Sequence, residues 1–140
     1  MNACELAQRY FPVVGRFLLA LIFVLSGWGK ITGFDGTVAY MASKSMPFPQ
    51  FLLPGAIIVE LGGGLALMLG WKARWAALAL FLFCIPTALV FHNFWAVPPE
   101  QAQNQMIHFL KNLAIMGGLL YVVAFGPGPF SIGGRPRRWR

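Results

Sequence analysis

Long runs of apolar residues dominate the chain. Four such stretches cover residues 11–29, 48–69, 73–92 and 106–125. Each is close to the roughly 20 residues that an α-helix needs to cross the hydrocarbon core of a bilayer. The runs lack the alternating polar positions of a membrane β-barrel. The pattern therefore predicts an all-α membrane protein, a single domain over residues 1–140 with four transmembrane helices in a small bundle and a basic tail at 126–140.

The composition agrees with a membrane protein. Only 11% of the residues are charged and 58% are hydrophobic, whereas an average soluble domain is about 25% charged. That charge is too little to cover the surface of a soluble globule, and the high hydrophobicity excludes disorder. The first stretch has the basic flank of a secretory signal, but Trp28 and Lys30 follow it instead of a small-residue cleavage site. We therefore expect a retained helix.

The basic residues predict the orientation, because Lys and Arg are enriched in cytoplasmic segments. Of the eleven Lys and Arg residues, three lie in or near the two longer connections between the stretches. The other eight lie near the termini and in the short turn after the second stretch, and they are Arg9, Arg16, Lys72, Arg74, Arg135, Arg137, Arg138 and Arg140. We expect a multi-pass protein of the bacterial inner (plasma) membrane, with both termini in the cytoplasm.

The four arginines of the tail, Arg135, Arg137, Arg138 and Arg140, allow two interpretations. They could bind nucleic acid, or they could lie on the anionic inner leaflet, where each basic residue contributes about 1 kcal/mol. We expect the lipid bilayer to be the partner and expect no nucleic acid, because a tail joined to a membrane helix already lies at that surface. Arg16, near the same end, is expected to snorkel to the interface.

Small residues inside the stretches indicate where helices pack. In lipid, glycines let helix backbones approach closely, although they can also leave space for a flat ligand. The candidate packing positions are Gly62, Gly63, Gly64, Gly117, Gly118 and Pro86. Pro86 predicts a kink in the third helix, because its ring frees the carbonyl of Leu82.

Glu60 is the most informative polar residue. It lies about eleven residues into the second stretch, roughly 16 Å deep and near the midplane. An unpaired carboxylate there costs at least about 2.5 kcal/mol. Glu60 must therefore face the bundle interior and take a partner, or be protonated. Lys30 and Lys111 are both candidate partners.

Other polar groups are predicted at the outer half of the bundle, namely Lys30, Lys111, Asn112, His92 and His108. They allow two interpretations that are compatible with each other. One is an ion pair that fixes the helix register. The other is an outward-facing pocket for a small molecule, a quinone head group or a proton. The two histidines could also ligate haem or a metal, but both lie near span ends where water reaches them, so we expect no metal.

Several motifs, in this order, resemble the DoxX family of small four-span bacterial inner-membrane proteins. They are Gly27-Trp28-Gly29-Lys30, Pro47-Phe48-Pro49, Glu60-Leu61-Gly62-Gly63, Leu69-Gly70-Trp71, Phe91-His92-Asn93, Leu110-Lys111-Asn112 and Gly117-Gly118-Leu119. The resemblance covers roughly residues 13–132. It implies a small α-helical bundle, and relatives are linked to quinone-coupled sulfur oxidation and to oxidative-stress complexes. It carries over no catalytic residue. A final motif, Gly126-Pro127-Gly128-Pro129-Phe130-Ser131, departs from the family, which usually has a basic residue and Tyr where this chain has Pro129 and Phe130.

Three functions follow as hypotheses. The first is an accessory or scaffold subunit of a redox or quinone-linked membrane process, with a polar pocket around Glu60 and a protein partner or a second copy. The sequence favours it because it has no recognisable catalytic constellation and no Cys-x-x-Cys pair. The alternatives are a quinone- or lipid-binding oxidoreductase component, with quinone as the candidate cofactor, and a small proton-coupled exporter, for which four spans are few.

Overall fold

The computed structural model describes residues 1–133, and within them it consists of helices joined by short turns. The elements are α1 (Ala3–Thr32), α2 (Phe34–Ser43), α3 (Pro49–Ile57), a π-helical turn (Ile58–Gly62), α4 (Gly63–Leu69), α5 (Ala73–Phe91), a 3₁₀ turn (Phe94–Ala96) and α6 (Pro99–Phe125). Four segments are long and apolar enough to span a membrane, namely Ala3–Thr32, Pro49–Leu69, Ala73–Ala96 and Pro99–Phe125. The predicted all-α architecture with four spans is confirmed.

The first and last spans are longer than the apolar runs that predict them, because polar residues begin the helices. α1 starts at Ala3 with a capping box: the Asn2 side chain accepts from the Glu5 nitrogen at 2.9 Å, and the Glu5 carboxylate accepts from the Asn2 nitrogen at 3.1 Å. α6 starts at Pro99, where a missing N–H costs no helical hydrogen bond. These signals lie outside the apolar runs, so hydropathy alone does not detect them.

α2 occupies a segment that the sequence assigns to a loop, the connection at residues 31–47. At ten residues it is about 15 Å long and too short to cross a bilayer. Its Met41 is buried, and the ring of Tyr40 stacks on Phe91 of α5 with centroids 5.6 Å apart. α2 therefore packs against one end of the bundle.

The first two spans touch backbone to backbone. A Cβ at Gly27 would lie 2.9 Å from the backbone nitrogen of Leu61, and a Cβ at Gly64 would lie 3.0 Å from Val24 Cγ2. No side chain larger than hydrogen fits at these two positions without movement of the neighbour. Gly27 and Gly64 thus set the distance between α1 and the second span.

The predicted packing glycines divide into two groups. A Cβ at Gly63 or Gly118 would meet a leucine side chain of α5 or α1 respectively, and Gly64 packs as described above. Gly62 and Gly117 have no atom within 4 Å of the Cβ position, so they face open space. Close packing is thus found at three of the five positions.

Pro86 lies within α5, which continues helically to Phe91. The hydroxyl of Thr87 donates a hydrogen bond of 2.8 Å to the carbonyl of Phe83. This bond lies beside the carbonyl that the proline leaves free, where side-chain donors commonly support a proline-containing helix in lipid. The kink itself stays a prediction.

Arg16 is buried instead of snorkelling to the interface, so that expectation is wrong. Its guanidinium donates to three carbonyls: Nε to Met68 at 3.1 Å, Nη1 to Pro127 at 2.8 Å and Nη2 to Phe130 at 3.1 Å. Met68 is in the last turn of α4, and Pro127 follows α6. The positive charge therefore lies at two helix C-termini, where the helix dipoles stabilise it.

The chain after α6 returns to the bundle. Ile132 donates through its backbone nitrogen to the carbonyl of Leu69 at 3.1 Å, and the ring of Phe130 stacks on Tyr10. The start of the predicted tail is thus attached to α1 and α4. The four predicted lipid-facing arginines, Arg135, Arg137, Arg138 and Arg140, lie outside the described residues.

The contact at Gly27 generates a testable prediction. Gly27→Ala should lower the thermal unfolding temperature in detergent, with a loss of about 1–3 kcal/mol from overpacking against Leu61. Gly29→Ala is the matched control, because the Cβ position of Gly29 is open and both changes gain the same helix propensity, about 1 kcal/mol. Equal stability of the two variants would contradict the close approach.

Candidate functional site

Glu60 is buried, with its side chain 6% exposed, and it faces α1. Its Oε2 lies 2.8 Å from Lys30 Nζ, and its Oε1 accepts a hydrogen bond of 2.9 Å from Ser26 Oγ. Lys30 Nζ also donates to Ser26 Oγ at 2.6 Å. The three side chains form a closed network that engages both carboxylate oxygens. The Ser26 hydroxyl donates to one oxygen and the Lys30 ammonium forms an ion pair with the other, which matches an ionised carboxylate.

Local structure places the three residues together. Ser26 and Lys30 are four residues apart on α1, so they share a face. Gly27, between them, permits the close backbone approach described above. Glu60 lies in the π-helical turn that interrupts the second span. Such turns are rare in proteins, and those that occur are often found at functional sites. The sequence reading did not predict this turn.

A cavity of about 640 Å³ opens beside this network. All four spanning segments and α2 contribute to its wall, which consists mainly of apolar side chains such as Met41, Leu53, Phe83 and Ile115. Its volume is within the range of small-molecule sites, roughly 300–1,000 Å³. The cavity is therefore large enough for a small organic molecule.

A second cluster of polar side chains lies on the same wall of the cavity. The rings of His92 and His108 stack with centroids 5.2 Å apart, and His92 Nδ1 is 3.1 Å from Gln105 Oε1. Asn112 Nδ2 donates to the backbone carbonyl of His108 at 3.0 Å. Lys111 makes no hydrogen bond or ion pair with any of residues 1–133. The partner of Glu60 is thus Lys30 and not Lys111.

One cavity brings together every residue that the sequence proposes for the pocket. They are Lys30, Glu60, His92, His108, Lys111 and Asn112. The sequence reading missed Ser26, although its position four residues before Lys30 is a usable signal. It also missed the wall that α2 supplies. In the part of the chain described, no group of three or more His, Cys, Asp and Glu side chains could hold a metal.

The two thiols occupy different environments. Cys84 is buried in α5 and lines the cavity, whereas Cys4 is exposed near the start of α1. Neither forms a disulfide. Cys84 thus adds a small, soft side chain to the apolar wall.

The ion pair generates a double-variant prediction. Lys30→Met or Glu60→Met alone leaves a charge without its partner. Each should lower the free energy of unfolding by about 3 kcal/mol. This is the low end of the range for buried pairs, because Lys30 is 25% exposed. The double variant should lose clearly less than the sum. Unfolding in mixed micelles measures all four proteins. Additive losses would contradict direct pairing.

The family relationship follows from comparison with known proteins. The DoxX family model matches residues 11–93, which include Lys30, Glu60 and His92. Inner membrane protein YqjF of Escherichia coli is 42% identical over 120 residues, covering 86% of this chain and 87% of that protein. Inner membrane protein YphA of Escherichia coli is 33% identical over 126 residues, covering 90% of each.

A more distant relative is larger. A Surfeit locus protein 4 homolog of Schizosaccharomyces pombe is 30% identical over 127 residues, which is 89% of this chain but 37% of that protein. No solved structure matches this chain significantly. The family match, the two bacterial relatives and the four membrane-length helices agree with one another. The chain belongs to the DoxX family and is an inner-membrane protein.

Proposed function

We propose that this protein holds a small amphipathic molecule in the cavity between its spans, as an accessory subunit of a redox or quinone-linked membrane process. The observation that carries the proposal is the cavity itself. About 640 Å³ of mainly apolar space meets a few polar side chains on one wall. Apolar volume with a small number of converging polar groups is the usual composition of a ligand site.

The wall indicates the shape of the ligand. An apolar body would lie against Met41, Leu53 and Phe83, and a polar head would face Lys30 or the histidine pair. Quinones and lipids both have this division. The resemblance to DoxX proteins, some of which are linked to quinone-coupled sulfur oxidation, favours a redox setting.

The Glu60 network favours an accessory role over a catalytic one. Ser26 donates to one carboxylate oxygen of Glu60 and Lys30 forms an ion pair with the other, so the carboxylate is already engaged inside the bundle. Protonating Glu60 would leave Lys30 without its counter-ion inside the bundle, which is costly. Glu60 therefore serves the site as a fixed part of its wall, and a partner protein or a second copy would supply the chemistry.

A cavity-filling variant tests the ligand. Ala56 lines the cavity and is half-buried, whereas Ala114 lies on α6 and is exposed. Protein purified in mild detergent should release a small molecule into an organic extract, detected by mass spectrometry. Ala114→Phe should retain that molecule, and Ala56→Phe should lose it because phenylalanine fills the space. An extract with no enriched molecule, or one unchanged by Ala56→Phe, would refute the proposal.

We also propose that both termini face the cytoplasm. The proposal is supported by the grouping of positive charges: Arg74 donates to the carbonyl of Val123 near the end of α6, and Arg16 joins the ends of α4 and α6. These arginines and Lys72 thus share one end of the bundle. Segments rich in Lys and Arg stay on the cytoplasmic side.

Cys4 is a native reporter of this orientation, because it is exposed while Cys84 is buried. A membrane-impermeant maleimide should label Cys4 only after bacterial cells are opened. As a control, Ser45→Cys in a Cys4→Ser background places a thiol in the connection at the opposite end, and it should react in intact cells. Reversed labelling of the two sites would contradict the proposed topology.

A further inference from the structure

The charges that line the cavity do not balance. Within residues 1–133, Glu60 is the sole acidic side chain of the wall, and Lys30 matches its charge at 2.8 Å. Lys111 also lines the cavity, and no carboxylate of the described chain pairs with it. The cavity therefore carries one unmatched positive charge.

That charge lies inside the fourth span. Lys111 is exposed and lines the cavity, and an ammonium at membrane depth is disfavoured unless it finds a partner or water. The imidazole of His108 makes no hydrogen bond within the described residues and only stacks on His92. An N–H of that ring is thus free for a ligand.

We propose that the ligand is a single-chain amphiphile with an anionic head, a carboxylate of the fatty-acid class. This inference rests on the proposed function and narrows it. Lys111 provides the counter-ion and His108 a hydrogen-bond donor, in the charge-assisted geometry that carboxylates favour. The hydrocarbon chain lies along the apolar wall formed by Met41, Leu53 and Phe83. One unmatched cation fits one negative charge, and a neutral head group would leave Lys111 unpaired.

The test is a competition in one assay. The protein is placed in phosphatidylcholine nanodiscs at mildly alkaline pH, and binding of radiolabelled dodecanoate is followed by equilibrium dialysis. Unlabelled dodecanoate, dodecanol and decylubiquinone compete. Dodecanol has the same chain with a neutral head. We expect dodecanoate to bind about tenfold more tightly than dodecanol, the contribution of one charge-assisted hydrogen bond.

Two variants assign the preference to Lys111. Lys111→Gln removes the charge and should bring dodecanoate and dodecanol to within about threefold of each other. Lys72→Gln makes the same change in the turn at the opposite end of the bundle, outside the cavity wall, and should preserve the preference. Circular dichroism of each variant confirms that the helices are intact.

The outcomes separate the two proposals. If dodecanol or decylubiquinone binds as tightly as dodecanoate, the anionic head is refuted while the ligand-binding function stands. If Lys111→Gln keeps the full preference, the role of Lys111 is refuted. If none of the three probes binds, the inference and the proposed function both fail.

Discussion

The carboxylate of Glu60 inside a lipid-embedded bundle is the constraint on which the site depends. No water in the bilayer core solvates it, so a cation or a hydrogen-bond donor must reach each oxygen. Lys30 and Ser26 do so from the facing helix at 2.8 and 2.9 Å. These short distances require the two backbones to lie close together, and Gly27 permits that. A single buried charge thus accounts for the choice of residue at three positions of α1.

A second contact made by a charged side chain joins α1 and the second span at the other end of the bundle. Arg16 joins α1 to the last turn of α4 through the Met68 carbonyl. Arg16 and Lys30 are fourteen residues apart on α1, which is about 21 Å along the helix. α1 and the second span are thus fixed at two heights. The cavity lies at the Lys30 end, and α2 forms part of its wall.

The polar wall of the cavity has two parts with different chemical character. Lys30, Ser26 and Glu60 satisfy one another and form a rigid edge. Lys111 and the ring of His108 form no hydrogen bond with the described chain, and their donors remain free for a molecule in the cavity. This division explains how one site can be both structural and ligand-binding.

The sequence predicts the spans and the deep charges for one physical reason: lipid penalises polar groups strongly, so each one inside an apolar run is conspicuous. Glu60, Lys30 and Lys111 are found in this way. The sequence does not decide which lysine pairs with Glu60, because depth does not fix the rotation of a helix about its axis. The π-helical turn and α2 also escape prediction. The turn depends on packing between spans, and α2 is too short to stand out as an apolar run.

Infrared difference spectroscopy of the protein in nanodiscs, wild type against Glu60→Gln, tests the central ion pair most directly. The substitution should remove the antisymmetric stretching band of an ionised carboxylate, because Lys30 forms an ion pair with Glu60 and Ser26 donates to it. Loss of a protonated carboxylic acid band instead would contradict the ion pair, and with it the charge balance of the cavity.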